Sequence, residues 1–281
     1  MVRSIVTFTC PDGPGIVHAL TGAVVQADGN ITESQQYSSP DTGRFFMRIE
    51  VDHGSTRPEF DAALADVANR FDGQVTSDDA GRLVRTLILG SKAPHCVDAL
   101  LSHAHGGSAP VSVPLVLANH DSLAALAQFY KVPFESYQVA DATAKKLFEQ
   151  RVRAAVVEHD IELVVLARYM QILSAELCEE LSGRLINIHH SFLPGFKGAD
   201  PYAQAHARGV KLIGATAHFV TAELDEGPII EQRVAPVTHA RSVAQLREIG
   251  RDIEAVTLVH AVKLWAEHRI LLDGVRTVVF D

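Results

Sequence analysis

Asn187 and His189 stand two residues apart at the end of an apolar run, R-L-I-N-I-H-H (184–190), and side chains two apart in a strand point to the same side. An amide N–H beside an imidazole is a donor next to an acid/base, a pairing that can polarise a carbonyl and move a proton. The two side chains could equally satisfy backbone groups of the following loop, and this segment alone leaves both readings open. A third group lies in Glu223-Leu224-Asp225-Glu226-Gly227-Pro228, an acidic glycine turn that follows another apolar run. Acids on a loop usually face solvent, but Asp225 folded back beside His189 would favour the imidazolium and a ring able to donate a proton near neutral pH. His218 shares a strand face with Thr216 and reads either as a hydrogen-bonded core histidine or as a support behind the site.

Two kinds of element must position these residues. Residues 43–52, GRFFMRIEVD, alternate apolar and charged positions as a half-buried strand does. The turn Pro40-Asp41-Thr42-Gly43 before them makes a hairpin with ITESQQYS. Phe46 breaks the polar face of that strand, and a cover over it is expected. Ile16, Val17, Leu20, Val24 and Val25 recur at helical spacing between Pro14 and Asp28-Gly29. With strands at 2–10 and 73–78 and a helix near 57–70, the order is βαββαβ, a ferredoxin-like domain over residues 1–80. After the polar stretch 77–81 the pattern changes to apolar strands at 83–90, 111–119, 132–139, 161–167, 184–190 and 210–220, separated by helices of which 141–158 is the clearest. This predicts an α/β domain over 84–281 with an open, mostly parallel Rossmann-like sheet. Ser242 and Gln245 form a capping-box pattern ahead of a long C-terminal helix. In such a sheet a ligand sits beyond the carboxyl ends of the strands, where Asn187 and His189 fall.

Bulk properties narrow the chemistry. A chain of 281 residues, 47% hydrophobic and 21% charged, is globular and long enough for two domains. A net charge of -9 without any basic run argues against a nucleic-acid partner. No apolar run approaches the roughly 20 residues of a membrane span, and no cleavable leader is visible. Cys10, Cys96 and Cys178 are widely spaced, without metal-finger or CxxC pattern, and suit a reducing cytoplasm. The 14 histidines include His103-Ala104-His105 and His189-His190, which raises a metal hydrolase as a competitor. A zinc site needs three or four convergent ligands, and His103 and His105 read as exposed in a Gly/Ser-rich loop after a helix, so no metal is expected.

N-I-H-H-S-F-L-P-G-F-K-G (187–198) and G-A-T-A-H-F-V-(x)4-D-E-G-P-I-I (214–230) resemble the two signatures of the folate-dependent formyltransferases. The resemblance implies that Asn187 polarises the formyl oxygen, His189 acts as general acid and Asp225 holds the histidine charged. L-A-R-Y-M-Q-I-L (166–173) is similar to the strand-end loop against which these proteins lay the pterin. That implies a folate contact by Arg168, Tyr169, Met170, Gln171, Ile172 and Leu173, although the segment also reads simply as a strand followed by a helix start. C-P-D-G-P-G-I-V (10–17) and D-T-G-R-F-F-M-R (41–48) resemble an ACT domain. Together with S-K-A-P-H-C (91–96) and G-R-D-I-E (250–254), they extend the likeness over essentially the whole chain, to the formyltetrahydrofolate deformylase family.

That likeness implies hydrolysis of 10-formyltetrahydrofolate, releasing formate for one-carbon and purine metabolism, with no cofactor beyond the folate substrate. It also implies a homo-oligomer and an amino-acid effector near Asp12, Gly13 and Gly15. The alternative is a transferase that passes the formyl group to an amine. Where the nucleotide-using branch has a glycine-rich phosphate loop, this chain has Gly90-Ser91-Lys92-Ala93-Pro94-His95-Cys96, poor in the glycine amides that cradle phosphate. Two departures from the family pattern are Gly13, where a polar residue is commoner, and Asp200, at a usually basic position. A non-enzymatic amino-acid sensor with a degenerate second domain is weighed against by the intact Asn187, His189 and Asp225.

Overall fold

The computed structural model describes residues 2–195 and 201–281. The end of the 187–198 motif and Asp200 lie outside the described residues. The chain divides into two compact units, Met1–Arg82 joined by Glu267–Asp281, and Leu83–Ala266. The expected second domain, 84–281, therefore differs at its end, because the last fifteen residues of the chain group with the first unit.

In that unit β1 (Val2–Pro11), α1 (Ile16–Gln26), β2 (Asn30–Ser39), β3 (Arg44–His53), α2 (Arg57–Arg70) and β4 (Gln74–Asp79) follow the expected βαββαβ order. The sheet runs β2-β3-β1-β4 and is antiparallel throughout. One face of β3, with Phe45, Met47, Ile49 and Val51, joins Phe8, Leu20, Val24, Phe60 and Leu64 in a core beneath the two helices. Thr56 starts α2: its backbone N–H donates to Glu59 Oε2 at 3.0 Å, the reciprocal cap that fixes a helix end. On the opposite face Phe46 is fully buried against Leu271 and Phe280. The cover over Phe46 is thus the end of the chain, which the sequence pattern did not identify. Beside it the Arg48 guanidinium donates to the Glu267 carbonyl at 3.0 Å and to Glu50 at 2.7 Å, so its buried charge is matched.

The second unit carries β5 (Val84–Gly90), α3 (His95–His105), β6 (Val111–Ala118), α4 (Ala124–Phe129), β7 (Phe134–Ser136), α5 (Ala142–Glu158), β8 (Leu163–Ala167), α6 (Ala175–Glu180), β9 (Leu185–His189), α7 (Pro201–Arg208), β10 (Leu212–Phe219), β11 (Ile229–Pro236) and α8 (Val243–Ala266). After α8 the chain returns to the first unit as the hairpin of β12 (Ile270–Asp273) and β13 (Arg276–Val279). The seven-stranded sheet has the order β11-β10-β9-β8-β5-β6-β7. Five neighbouring strands, β9 to β7, are parallel, while β10 is antiparallel to both its neighbours. The mostly parallel α/β sheet is as expected.

Three local readings change. The strand at 132–139 shortens to three residues, β11 is an additional strand, and His103 and His105 sit in the last turn of α3 rather than in a loop, both exposed as anticipated. Asp141 caps α5 by accepting from the Ala144 N–H at 2.8 Å, and Ser242 with Gln245 caps α8. Because β5, β8 and β9 are parallel, Gly90, Ala167 and His189 end on one edge of the sheet, and the loops leaving them can converge. Cys10, Cys96 and Cys178 are all buried, where a free thiol packs as a small hydrophobe.

Candidate active site

A cavity of about 600 Å³ opens at that edge, lined by the loop after β8, the end of β9, the loop after β10 and one face of α8. The register of β9 against β10 sets its floor. Asn187 stands opposite His218 and His189 opposite Thr216, so the four polar residues are cross-strand neighbours. The His218 Nδ1 lies 2.8 Å from the Phe219 carbonyl, which can only accept, so Nδ1 carries the proton. Its Nε2 then accepts from the Asn187 amide at 3.2 Å. That bond uses one amide hydrogen and fixes the direction of the other. Burial lowers the His218 pKa, which agrees with the neutral ring this bonding requires. Thr216 instead braces the chain after His189, its hydroxyl donating to the Ser191 carbonyl at 2.9 Å and accepting from the Leu193 N–H at 3.1 Å.

Asp225 folds back as its sequence context suggested it could. Its carboxylate lies 3.2 Å from His189 Nδ1, and the hydrogen bond from His189 outweighs burial and holds its pKa below the ordinary carboxylate value. The other ring nitrogen, His189 Nε2, is buried and has no hydrogen-bond partner among the described residues, in a side chain that lines the cavity. An orphaned polar atom at a cavity wall is where a ligand or water would complete the bonding. The loop achieves this return through Phe219, whose N–H donates to the Pro228 carbonyl at 2.9 Å, and through Gly227, packed directly on the Phe219 backbone.

Arg168 to Leu173 all line the same cavity. Tyr169 and Leu173 are buried, and Tyr169 stacks on Phe148 with ring centroids 5.2 Å apart. Met170 and Ile172 instead leave more than half their surface exposed at the cavity edge, an apolar rim unusual for a loop. The buried Glu149 secures the loop's far end by accepting from the Ser174 N–H at 2.7 Å.

Sequence reasoning assigned no role to four further lining residues, His95, His190, Tyr202 and Glu254. His95 lies in S-K-A-P-H-C and Glu254 in G-R-D-I-E, and Glu254 interrupts an otherwise apolar helix face, a signal that could have singled it out. Among the described residues His95, Cys96 and Glu254 are also the one group whose types and spacing could hold a metal. The Glu254 oxygens, however, already accept from His95 at 2.8 Å and Tyr202 at 2.6 Å and face Arg168 at 3.4 Å. Burial raises the Cys96 thiol well above its usual range. The group is an ion-pair network with its own cation.

His190 bridges the two halves of the wall, its ring centroid 5.2 Å from that of His189 and 6.2 Å from that of Tyr202. Burial, reinforced by the charges of Arg168 and His189, pushes its pKa down to about 4. The unfolded chain takes up a proton near pH 6.5 that the folded chain refuses until about pH 4, so stability is lost as pH falls through that window. His190→Gln is expected to flatten the decline of Tm between about pH 6.5 and about pH 4.5. An unchanged slope in thermal melts would show that His190 is not the group responsible.

Two family models match this chain: an ACT domain over residues 4–69 and a formyl transferase domain over 84–262. A formyltetrahydrofolate deformylase from Corynebacterium sp. (strain P-1) is 44% identical, the match covering 99% of this chain and 98% of that protein. The chain belongs to the formyltetrahydrofolate deformylase family. The crystal structure of a family member from Burkholderia mallei superposes with a TM-score of 0.95 at 41% identity, covering 100% of both chains. Glycinamide ribonucleotide transformylase 1 from Symbiobacterium toebii, of the nucleotide-using branch, reaches a TM-score of 0.67 at 30% identity over 72% of this chain and 97% of its own. The whole-chain likeness is therefore to the deformylases. Among the described residues no helix is long and apolar enough to cross a membrane.

Proposed function

We propose that this protein hydrolyses 10-formyltetrahydrofolate to formate and tetrahydrofolate in the cytoplasm, with Asn187, His189 and Asp225 as the catalytic residues. The observation that carries the chemistry is the buried His189 Nε2 in the cavity wall, unpartnered among the described residues, beside an oriented amide and backed by a carboxylate. The pterin lies along Arg168–Leu173, with Met170 and Ile172 offering apolar contact. The formyl oxygen accepts the second Asn187 N–H, and water attacks the formyl carbon. The oxyanion is stabilised by that amide and by the His189 ring. The His189–Asp225 pair takes one proton from water and gives one to N10 as the C–N bond breaks, so it returns to its starting state. The formic acid released ionises to formate, which feeds one-carbon and purine metabolism. The scheme calls on no cofactor beyond the folate substrate.

Incubating the chain with 10-formyltetrahydrofolate and water alone, while following formate, tests this directly. Formate is expected at a rate indifferent to added glycinamide ribonucleotide, because Ala93 and Pro94 lead into α3 where a phosphate loop needs glycine amides. A formylated nucleotide, with folate turnover accelerated by its addition, would instead assign the chain to the transferases.

We further propose that an amino acid regulates the enzyme at Asp12, Gly13 and Gly15, and that the chain works as a homo-oligomer paired through its ACT domains. Gly15 precedes α1 at φ +90° with no side-chain cap, and a Cβ at Gly13 would meet nothing within 4 Å. Uncapped amides beside open space suit a carboxylate. Titration calorimetry across the twenty amino acids is expected to find a ligand whose heat is lost in Gly15→Val; twenty blank titrations would end the proposal.

A further inference from the structure

Glu149 is an acid in a place that asks for an apolar side chain. It stands on the buried face of α5 with Phe148, Val152 and Ala155, and only 4% of it is exposed. A carboxylate taken out of water costs free energy unless its oxygens are bonded, and here both are spent on one residue. Oε1 accepts from the Ser174 N–H at 2.7 Å and Oε2 from the Ser174 hydroxyl at 2.5 Å. The Lys145 ammonium, one turn back along α5, stands 3.9 Å from Oε1. The Ser174 hydroxyl accepts in turn from the Leu177 N–H at 3.3 Å, so the serine that starts α6 is bonded on both sides.

The neighbour of Glu149 holds the same loop at a second point, because Phe148 stacks on Tyr169 with the ring planes 12° apart. Arg168 opens the loop in a left-handed turn, φ +61°, and Ser174 closes it. Between these points Tyr169 and Leu173 are buried, whereas Met170 and Ile172 are 57% and 60% exposed. Water opposes that exposure. Released at its far end, the loop would gain by folding the two apolar side chains back into the cavity. We infer that Glu149 is a positioning residue for the folate: through Ser174 it keeps the 168–173 loop in the conformation that leaves Met170 and Ile172 free to take the pterin. This rests on the folate contact proposed above. Asn187 and His189 lie on β9 and Asp225 on the loop after β10, so the tether acts on binding and not on the chemical step.

Kinetics and binding by the full chain decide it. In Glu149→Ala the Ser174 N–H and hydroxyl lose their acceptor, and KM for 10-formyltetrahydrofolate is expected to rise roughly tenfold with kcat within roughly threefold of the unaltered value. A merely structural role gives the opposite split, since less folded enzyme lowers the apparent kcat and leaves KM alone. Glu149→Gln keeps the shape and an oxygen for the Ser174 N–H, and is expected to hold KM within roughly threefold. Calorimetry with tetrahydrofolate reads the same loop without turnover, and its Kd is expected to follow KM. Should Glu149→Ala fail to fold, Ser174→Ala removes one of the two bonds and decides instead, with KM and Kd raised roughly threefold. Unchanged KM and Kd in the alanine variant overturn the inference. So does a Glu149→Gln defect equal to that of Glu149→Ala, which traces the effect to lost charge and not to the tether. Absence of formate from the unaltered chain sinks the hydrolase reading, and absence of tetrahydrofolate binding takes the inference with it. Normal formate release and folate binding with unchanged variants sink only the role of Glu149.

Discussion

Replacing His189 by alanine is expected to lower turnover by roughly 10²- to 10³-fold, the cost of removing one stabilising donor from a developing oxyanion, while the fold persists. Asn187→Ala and Asp225→Ala are expected to fall in the same range for related reasons. Without the amide the formyl oxygen loses its oriented donor. Without the carboxylate, 3.2 Å from Nδ1, the ring loses the partner that sets which nitrogen faces the cavity. The three losses do not add. Groups that act as a unit lose most of their value when any member goes, so the Asn187→Ala/His189→Ala double variant should sit close to the worse single one. Formate assays on variants with unaltered circular dichroism provide the check. Near-normal turnover in His189→Ala would remove the assignment, and strictly multiplicative losses would show that the residues act independently.

Gly227→Ala is expected to be nearly as damaging, although its side chain touches no substrate. A Cβ there would fall 1.8 Å from the Phe219 carbonyl oxygen, a backbone atom that cannot swing aside. The loop from 220 to 228 must open, and Asp225 leaves His189 with it. The displacement costs about 3 kcal/mol or more, and turnover should fall by roughly 10²-fold, as for the Asp225 variants. Gly22 is the contrast: a Cβ there meets nothing within 4 Å in the middle of α1, and alanine should stabilise the chain by about 0.5–1 kcal/mol through helix preference alone. Thermal melts and formate assays on the pair separate the two cases. A Gly227→Ala variant with normal Tm and turnover would mean that the loop does not hold Asp225 in the way described.

The features legible in the sequence are those written in neighbouring residues. The period-2 pattern of 43–52, the capping pair Ser242/Gln245 and the continuous apolar runs each specify a local conformation from local chemistry, and all appear in the structure. The two-residue spacing likewise puts Asn187 and His189 on the same side of β9. Only the tertiary structure decided which distant segments meet. The antiparallel return of β10 sets His218 behind Asn187. Gly227 lets the acidic loop close, and Glu254, invisible as an acid within one long helix, joins His95 across 159 residues of chain. The same holds for the last residues, which close over Phe46 and Arg48 rather than extending the second unit. Periodicity encodes which face of an element is apolar, but the partner that covers that face is chosen by packing and charge matching over the whole chain, for which no short stretch of sequence carries the pattern.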